Sequence, residues 1–317
     1  MGYRALWRRL NGKGVRASRM VVRLAIKLLQ PQLVNDRRRR RLHRRSYANP
    51  GPNFCWHVDG YDKLKPFGFA IHAGIDGFSR KIMWLKVGPT NNHPQVIALY
   101  YVQALLKYKV VPCLLRTDRG TENVHLEKIQ KYLRRDGEDM LAAENSFIYG
   151  RSTANQRIES WWAILRRQCM TYWINMFKDM CTVGLVNVED PVHIACLRFC
   201  FMHLIKRDLD KMKEDWNTHH IRARKQDGNI PGKPNKMFHI PAEFDTSCFS
   251  AEFCQDDIET IEIELEMENG DPAWYNPDFV KLVNIVCPDW DHPTTVMEAQ
   301  DLYVLILERI AAFEHDG

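Results

Sequence analysis

Three short segments, FCWHVDGY (54–61), FGFAIHAGI (67–75) and RKIMWLKV (80–87), are aromatic and β-branched, and little but Lys-Pro and Asp76-Gly77 separates them. Connections that short join antiparallel neighbours, so three consecutive antiparallel strands are expected. The next stretch narrows the choice further. Pro94 to Lys109 repeats apolar residues at helical spacing, and Val110 to Leu115 reads as a fourth strand entering the turn RTDRG (116–120). A helix over 123–135, a short strand over 146–149 and a long helix over 155–180 follow. Asp190-Pro191 then starts a helix that runs to Trp216. Strands, helix, strand, helix, strand, helices is an α/β order, with a mixed sheet of about five strands between helices.

Charge divides the chain of 317 residues into three parts. Residues 1–50 carry 15 Lys/Arg against one acid, and residues 243–317 carry 2 against 19, while the whole is only +6. A basic front and an acidic back point to a polyanionic partner, nucleic acid above all. Nine cysteines without any C-x-x-C pair argue against a zinc ribbon or a disulfide framework and for a reducing compartment. No apolar run is long enough for a membrane helix.

At the N-terminus, Tyr3, Leu6, Trp7 and Leu10 form one apolar stripe, and Asn11 to Gly14 break it. Ser18 caps a second helix with Val21, Leu24, Ala25 and Leu28 on one face and Arg19, Arg23 and Lys27 on the other. Helix, glycine turn, basic helix over 1–35 is the outline of a helix-turn-helix whose upstream helix is missing. A plain helical hairpin or a transit peptide fits the same residues. Arg37, Arg38, Arg39, Arg40 and Arg41 open the basic run of the linker 36–50, read as a solvated tether, a phosphate-tracking arm or a nuclear-import signal.

Residues 221–242 read as a linker, and 243–317 as a small acidic α+β region. There Ile261, Ile263, Leu265 and Met267 alternate with glutamates, the pattern of a half-buried strand. Thr295-x-x-Glu298 is a capping box for a final helix.

Three carboxylates stand where a purely structural role is awkward. Asp59 ends an apolar strand, Asp118 lies just past another, and Glu159 opens a helix before Trp161-Trp162. In an α/β sheet, strand ends and an adjoining helix can meet at one point. Carboxylates meeting there need a divalent cation, and hard oxygen ligands suit Mg²⁺ or Mn²⁺. Each acid also has a modest reading, as a turn residue or a favourable charge at a helix start. Asp62 is the rival of Asp59, but it follows the break at Gly60. His193, Cys196, Cys200 and His203 invite a zinc reading, yet they sit in a continuous apolar helix, where such residues are more often core. Of the adjacent Trp161 and Trp162, one is expected in the core and the other outside it.

WHVDGYD (56–62), RTDRGTEN (116–123) and NQRIESWW (155–162) resemble, in order and surroundings, the integrase catalytic core of retroviral integrases, retrotransposons and DDE transposases. The N-terminal segment resembles the helix-turn-helix of insertion-sequence transposases. The resemblance covers residues 1–242 and implies an RNase H-like fold over 51–220. It implies Asp59, Asp118 and Glu159 as metal-binding catalytic acids, Asn155 near the bound DNA end, and Asp76 as a structural turn residue. It also implies two Mg²⁺ or Mn²⁺ ions with DNA substrate, and phosphodiester cleavage followed by strand transfer. The family's zinc module and basic C-terminal barrel are absent, and the interval from Asp118 to Glu159 is longer, with Asp136 to Glu144 as the extra loop.

The expectation is a nuclear, transposon-derived polynucleotidyl transferase acting on DNA. A homo-oligomer and a protein partner for the acidic region are further expectations. The alternative is a host-retained nucleic-acid- or protein-binding module that keeps the fold without transposition.

Overall fold

A computed structural model describes residues 6–7, 10–11, 14–32, 49–150, 155–222, 230–269 and 276–316. The chain divides into two compact units, residues 1–47 with 225–228, and residues 48–224 with 229–317.

The smaller unit contains α1 (Arg19–Leu29), capped by the Ser18 hydroxyl, which accepts from the Val21 amide at 3.2 Å. The Trp7 indole donates to the Ala17 carbonyl at 2.8 Å, and the Arg19 guanidinium lies 4.4 Å from the Trp7 ring centre. Arg23 and Lys27 are exposed. The stripe expected to pack does not: Val21, Leu24 and Leu28 are exposed, and Val22 is the buried residue. Arg37 to Arg41 lie outside the described residues.

In the larger unit the elements are β1 (Cys55–Tyr61), β2 (Ala70–Asp76), β3 (Ile82–Gly88), α2 (Pro94–Tyr108), β4 (Leu114–Thr117), α3 (Val124–Leu133), β5 (Phe147–Tyr149), α4 (Gln156–Leu165), α5 (Thr171–Thr182), α6 (Pro191–Thr218), α7 (Pro234–His239), α8 (Gln255–Asn269), α9 (Pro277–Val286) and α10 (Val296–Asp316). The sheet order is β3-β2-β1-β4-β5. β1 and β3 flank β2 antiparallel, while β4 runs parallel to β1 and β5 parallel to β4. This mixed sheet between helices is the RNase H-like architecture that the resemblance implied. The long helix expected over 155–180 is interrupted by a π turn at Arg166–Met170. No described helix is long and apolar enough to cross a membrane.

Strand alternation sorts the side chains into two cores. Trp56, Val58, Met83, Trp84 and Leu115 join α2, α3 and α8 on one face; Tyr61, Ile71, Ala73, Ile75, Leu85 and Val87 join α4, α5, α6, α9 and α10 on the other. Gly74 is required by this packing, since a Cβ there would lie 2.2 Å from the Trp84 ring. The β2–β3 turn is organised by Asp76, fully buried, whose carboxylate accepts from the amides of Asn53 and Ser79 and from the Ser79 hydroxyl at 2.6–2.8 Å. Asp76 is thus the turn residue expected.

Two expectations are corrected. Residues 261–268 are helical, within α8, and not a strand. The buried set Ile258 and Leu265, with Ile261 packed beside them, follows a 3.6-residue period that starts before the alternating window, and Ile263 is 57% exposed. Glutamate also disfavours strands and favours helices. Second, Trp161 and Trp162 are both buried. α4 is covered on two sides: Trp161 meets Trp216 of α6 and Trp162 meets Tyr61 of β1.

Candidate active site

The parallel register of β1 on β4 pairs Cys55 with Leu114, Trp56 with Leu115 and His57 with Arg116. Continued by two residues, it sets Asp59 beside Asp118, just beyond the last residue of β4. Adjacent strands lie about 4.8 Å apart, so the two carboxylates start from neighbouring backbones. Because Trp56 and Val58 face α2, Asp59 faces the opposite side of the sheet, toward α4.

The start of α4 is fastened to β1 by Asn155. Its amide donates to the Val58 carbonyl at 2.8 Å, and its carbonyl accepts from His57 Nδ1 at 2.6 Å. Burial, together with the charges of Arg116 and Arg157, lowers the His57 pKa to about 3 against the pull of the Asn155 bond, so the ring is neutral. The Glu159 amide donates to the Asn155 carbonyl at 3.2 Å, which places Glu159 in the first turn of α4 on an exposed position. Asn155 itself is 1% exposed with both ends of its amide engaged. It ties α4, and with it Glu159, to β1.

The other two acids bear on Asp59. The Asp59 pKa is raised to about 7 by burial first, with the charges of Glu159 and Asp118 pushing the same way. A hydrogen bond from Trp162 Nε1 to Asp59 Oδ2 at 2.8 Å opposes the rise and fixes that carboxylate. Asp118 is held in its turn by the Gly120 amide at 3.3 Å and by Asn123 Nδ2 at 3.2 Å. Gly120 leaves room for a fourth acid: a Cβ there would sit 1.9 Å from Glu122 Oε1. Burial raises the Glu122 pKa, and Asp118 and Asp62 add to it.

Asp62 bears on Glu122 and not on Asp59; its carboxylate accepts from Asn91 Nδ2 at 2.7 Å with Lys65 Nζ at 3.6 Å. The residues of the zinc reading are spent on packing. His193 bonds the Tyr303 hydroxyl at 2.6 Å, His203 bonds the Pro293 carbonyl, and Cys196 and Cys200 are fully buried. Sequence reasoning missed Trp162 as a partner of Asp59, and His57 and Asn123 as supports. The position of Asn123 inside RTDRGTEN was the available signal for one of them.

Among the described residues no three His, Cys, Asp or Glu side chains stand close enough together to hold a metal ion as they are. The donor chemistry nevertheless fits a hard divalent cation. Asp59 and Asp118 end neighbouring strands with Glu159 in the first turn of the adjoining α4, and the Asp59 carboxyl is raised by burial first and then by the charges of Glu159 and Asp118. Asp59, Asp118 and Glu159 are the residues that would hold it, with the exposed Glu159 the one free to turn inward.

A family profile described as Integrase core domain matches residues 46–242. A comparison with curated proteins found no match.

Proposed function

The chain belongs to the integrase core domain family, and from that premise we propose that it is a metal-dependent polynucleotidyl transferase whose catalytic acids are Asp59, Asp118 and Glu159. The observation that supports the reading is the position of Asp59 and Asp118 at the ends of the paired strands β1 and β4 and of Glu159 in the first turn of α4, with the Asp59 carboxyl raised by burial first and then by the charges of the other two. A bound divalent cation would supply charge stabilisation at a phosphodiester and an oxygen nucleophile at neutral pH. The chain's own residues do the positioning. Trp162 fixes one oxygen of Asp59, Asn123 and the Gly120 amide fix Asp118, and Asn155 and His57 hold α4 against β1. DNA is the proposed substrate, with the basic residues Arg19, Arg23 and Lys27 of α1 and the run Arg37 to Arg41 contributing non-specific phosphate contacts.

The test is cleavage of a labelled DNA duplex by the full chain in Mg²⁺ or Mn²⁺. Metal catalysis is worth several kcal/mol, and each 1.4 kcal/mol is tenfold, so Asp59→Asn, Asp118→Asn and Glu159→Gln should each lose about 1000-fold in rate. Cleavage that persists in all three, or that ignores chelation of the metal, overturns the assignment.

A further inference from the structure

We propose that the lysine strip beside the edge strand β3, away from the sheet face that carries Asp59, is a second anion site that takes closely spaced phosphate groups, those of a nucleic-acid backbone or of a small polyphosphate. The register aligns Asp59 with Ala73 and Ala73 with Leu85, while Lys86 pairs with His72 and Gly60 and so projects to the α2 face. The site is therefore separate from the acids, by about 10 Å of sheet and by the sheet itself.

Its centre is Tyr108, at the end of α2. Lys81 Nζ lies 4.6 Å and Lys107 Nζ 5.8 Å from the Tyr108 ring centre. The Tyr108 hydroxyl and Lys213 Nζ donate to one carbonyl, that of Met83, at 3.2 and 2.7 Å. Lys86 Nζ stands 5.9 Å from the ring centre of Tyr100, two helical turns back along α2. Four amines, from the β2–β3 turn, β3, α2 and α6, thus gather along one strip, and none of the four forms an ion pair among the described residues. The acids that bear on them are two. Asp210 lies 4.0 Å from Lys206, and the oxygens of Asp76 are occupied by Ser79 and Asn53.

Protection of an edge strand needs charge spread along it, and Lys213 on the Met83 carbonyl serves that end. It does not require amines from three elements around one ring. Asp210 offsets part of the charge on Lys86 and Lys213, but the lysines outnumber the acids that bear on them; like charges so gathered repel, and an anion relieves the repulsion. Burial lowers the pKa of Lys81 to about 8 and of Lys213 to about 7, and the neighbouring lysines add to both shifts. Lys81 is 3% exposed and held by His239 Nε2 at 2.7 Å, so it acts from beneath. Lys107 is exposed and Lys86 and Lys213 half-buried, open to a ligand.

Lysine-acylation footprinting of the full chain in excess chelator tests this without involving the acids. The probes are inorganic tripolyphosphate and, separately, a short DNA duplex. At ten times its dissociation constant a probe should slow acylation of Lys86, Lys107 and Lys213 by about tenfold, with the exposed Lys178 of α5 unchanged. Protection by tripolyphosphate alone identifies a small polyphosphate, and protection by duplex identifies a nucleic-acid backbone. The double variant Lys107→Gln/Lys213→Gln, with its melting followed in parallel, should weaken binding of the effective probe. Failure of both probes to protect these lysines, or equal protection of Lys178, overturns the proposal. Loss of cleavage by the acid variants leaves it untouched.

Discussion

Asp59 is held between two opposing pressures: burial and its acidic neighbours favour the protonated form, and the Trp162 indole favours the charged one. Trp162→Phe keeps a ring against Tyr61 but removes the donor, leaving a partly buried carboxylate oxygen unpaired. That should cost about 1–2 kcal/mol in urea unfolding and weaken the retention of divalent metal, and an unchanged unfolding midpoint would contradict it. The raised pKa also has a consequence for pH. Between the ordinary carboxylate value of 3.8 and about 7, the folded chain binds a proton at Asp59 that the unfolded chain has released. Stability from this group is therefore present at low pH and is lost as pH rises through that window. Thermal melts of the wild type and Asp59→Asn, compared at pH 5 and pH 8 without metal, should show the variant losing less on going to pH 8. Parallel losses in the two proteins would refute the burial of Asp59. Asp76, also raised by burial, is present in both and cancels in the comparison.

Among the elements, β3 shows how an edge strand is closed by side chains. The Asn217 amide both donates to the Ile82 carbonyl at 3.0 Å and accepts from the Ile82 amide at 2.8 Å, in the manner of a neighbouring strand. Trp216 Nε1 donates to the Arg80 carbonyl at 2.7 Å one step earlier. Asn217→Ala leaves two buried backbone groups unpaired and should cost about 2–4 kcal/mol in denaturant unfolding. A cost below about 0.5 kcal/mol, the level of ordinary surface substitutions, would show that water replaces the amide. Elements with strong local signals were legible before the structure. Asp76-Gly77, Asp190-Pro191 and Thr295-x-x-Glu298 each mark a boundary that holds: the Asp190 carboxylate accepts from the Val192 amide, and Thr295 Oγ1 accepts from the Glu298 amide. The acidic repeat at 261–268 was not, because two periods fit eight residues equally well, and only Ile258, outside the window, decides between them. Trp161 and Trp162 misled for a related reason: a helix covered on two sides has no outward face.

At the scale of the whole molecule, the acidic region set apart by charge is not set apart in packing. Ile258 and Leu265 enter the core on the α2 face, and Val283, Val286, Ala299, Tyr303 and Ile306 enter the other. A chain cut after residue 242 loses apolar cover from both sides of the sheet. It should therefore aggregate or lose the near-ultraviolet signal of its buried tryptophans. A well-folded fragment of this length would contradict the shared cores. The carboxylates of the site were legible because they stand at the ends of elements, where sequence order, alternation and register all act. Their supports were not, since Trp162, Asn155 and His57 look like core residues and acquire their roles only through contacts about 100 residues apart in sequence, between β1 and α4.

Manganese binding bears most directly on the acids. Titration of the full chain with Mn²⁺, followed by the electron paramagnetic resonance of the free ion, should reveal a saturable site. Loss of an outer-shell partner alone weakens metal affinity by roughly 10–100-fold. Replacement of a ligand itself, in Asp59→Asn, Asp118→Asn or Glu159→Gln, should therefore weaken the site by at least about tenfold, while Asp62→Asn leaves it unchanged. Equal Mn²⁺ affinity in the wild type and all three variants would contradict a single cation site built by Asp59, Asp118 and Glu159.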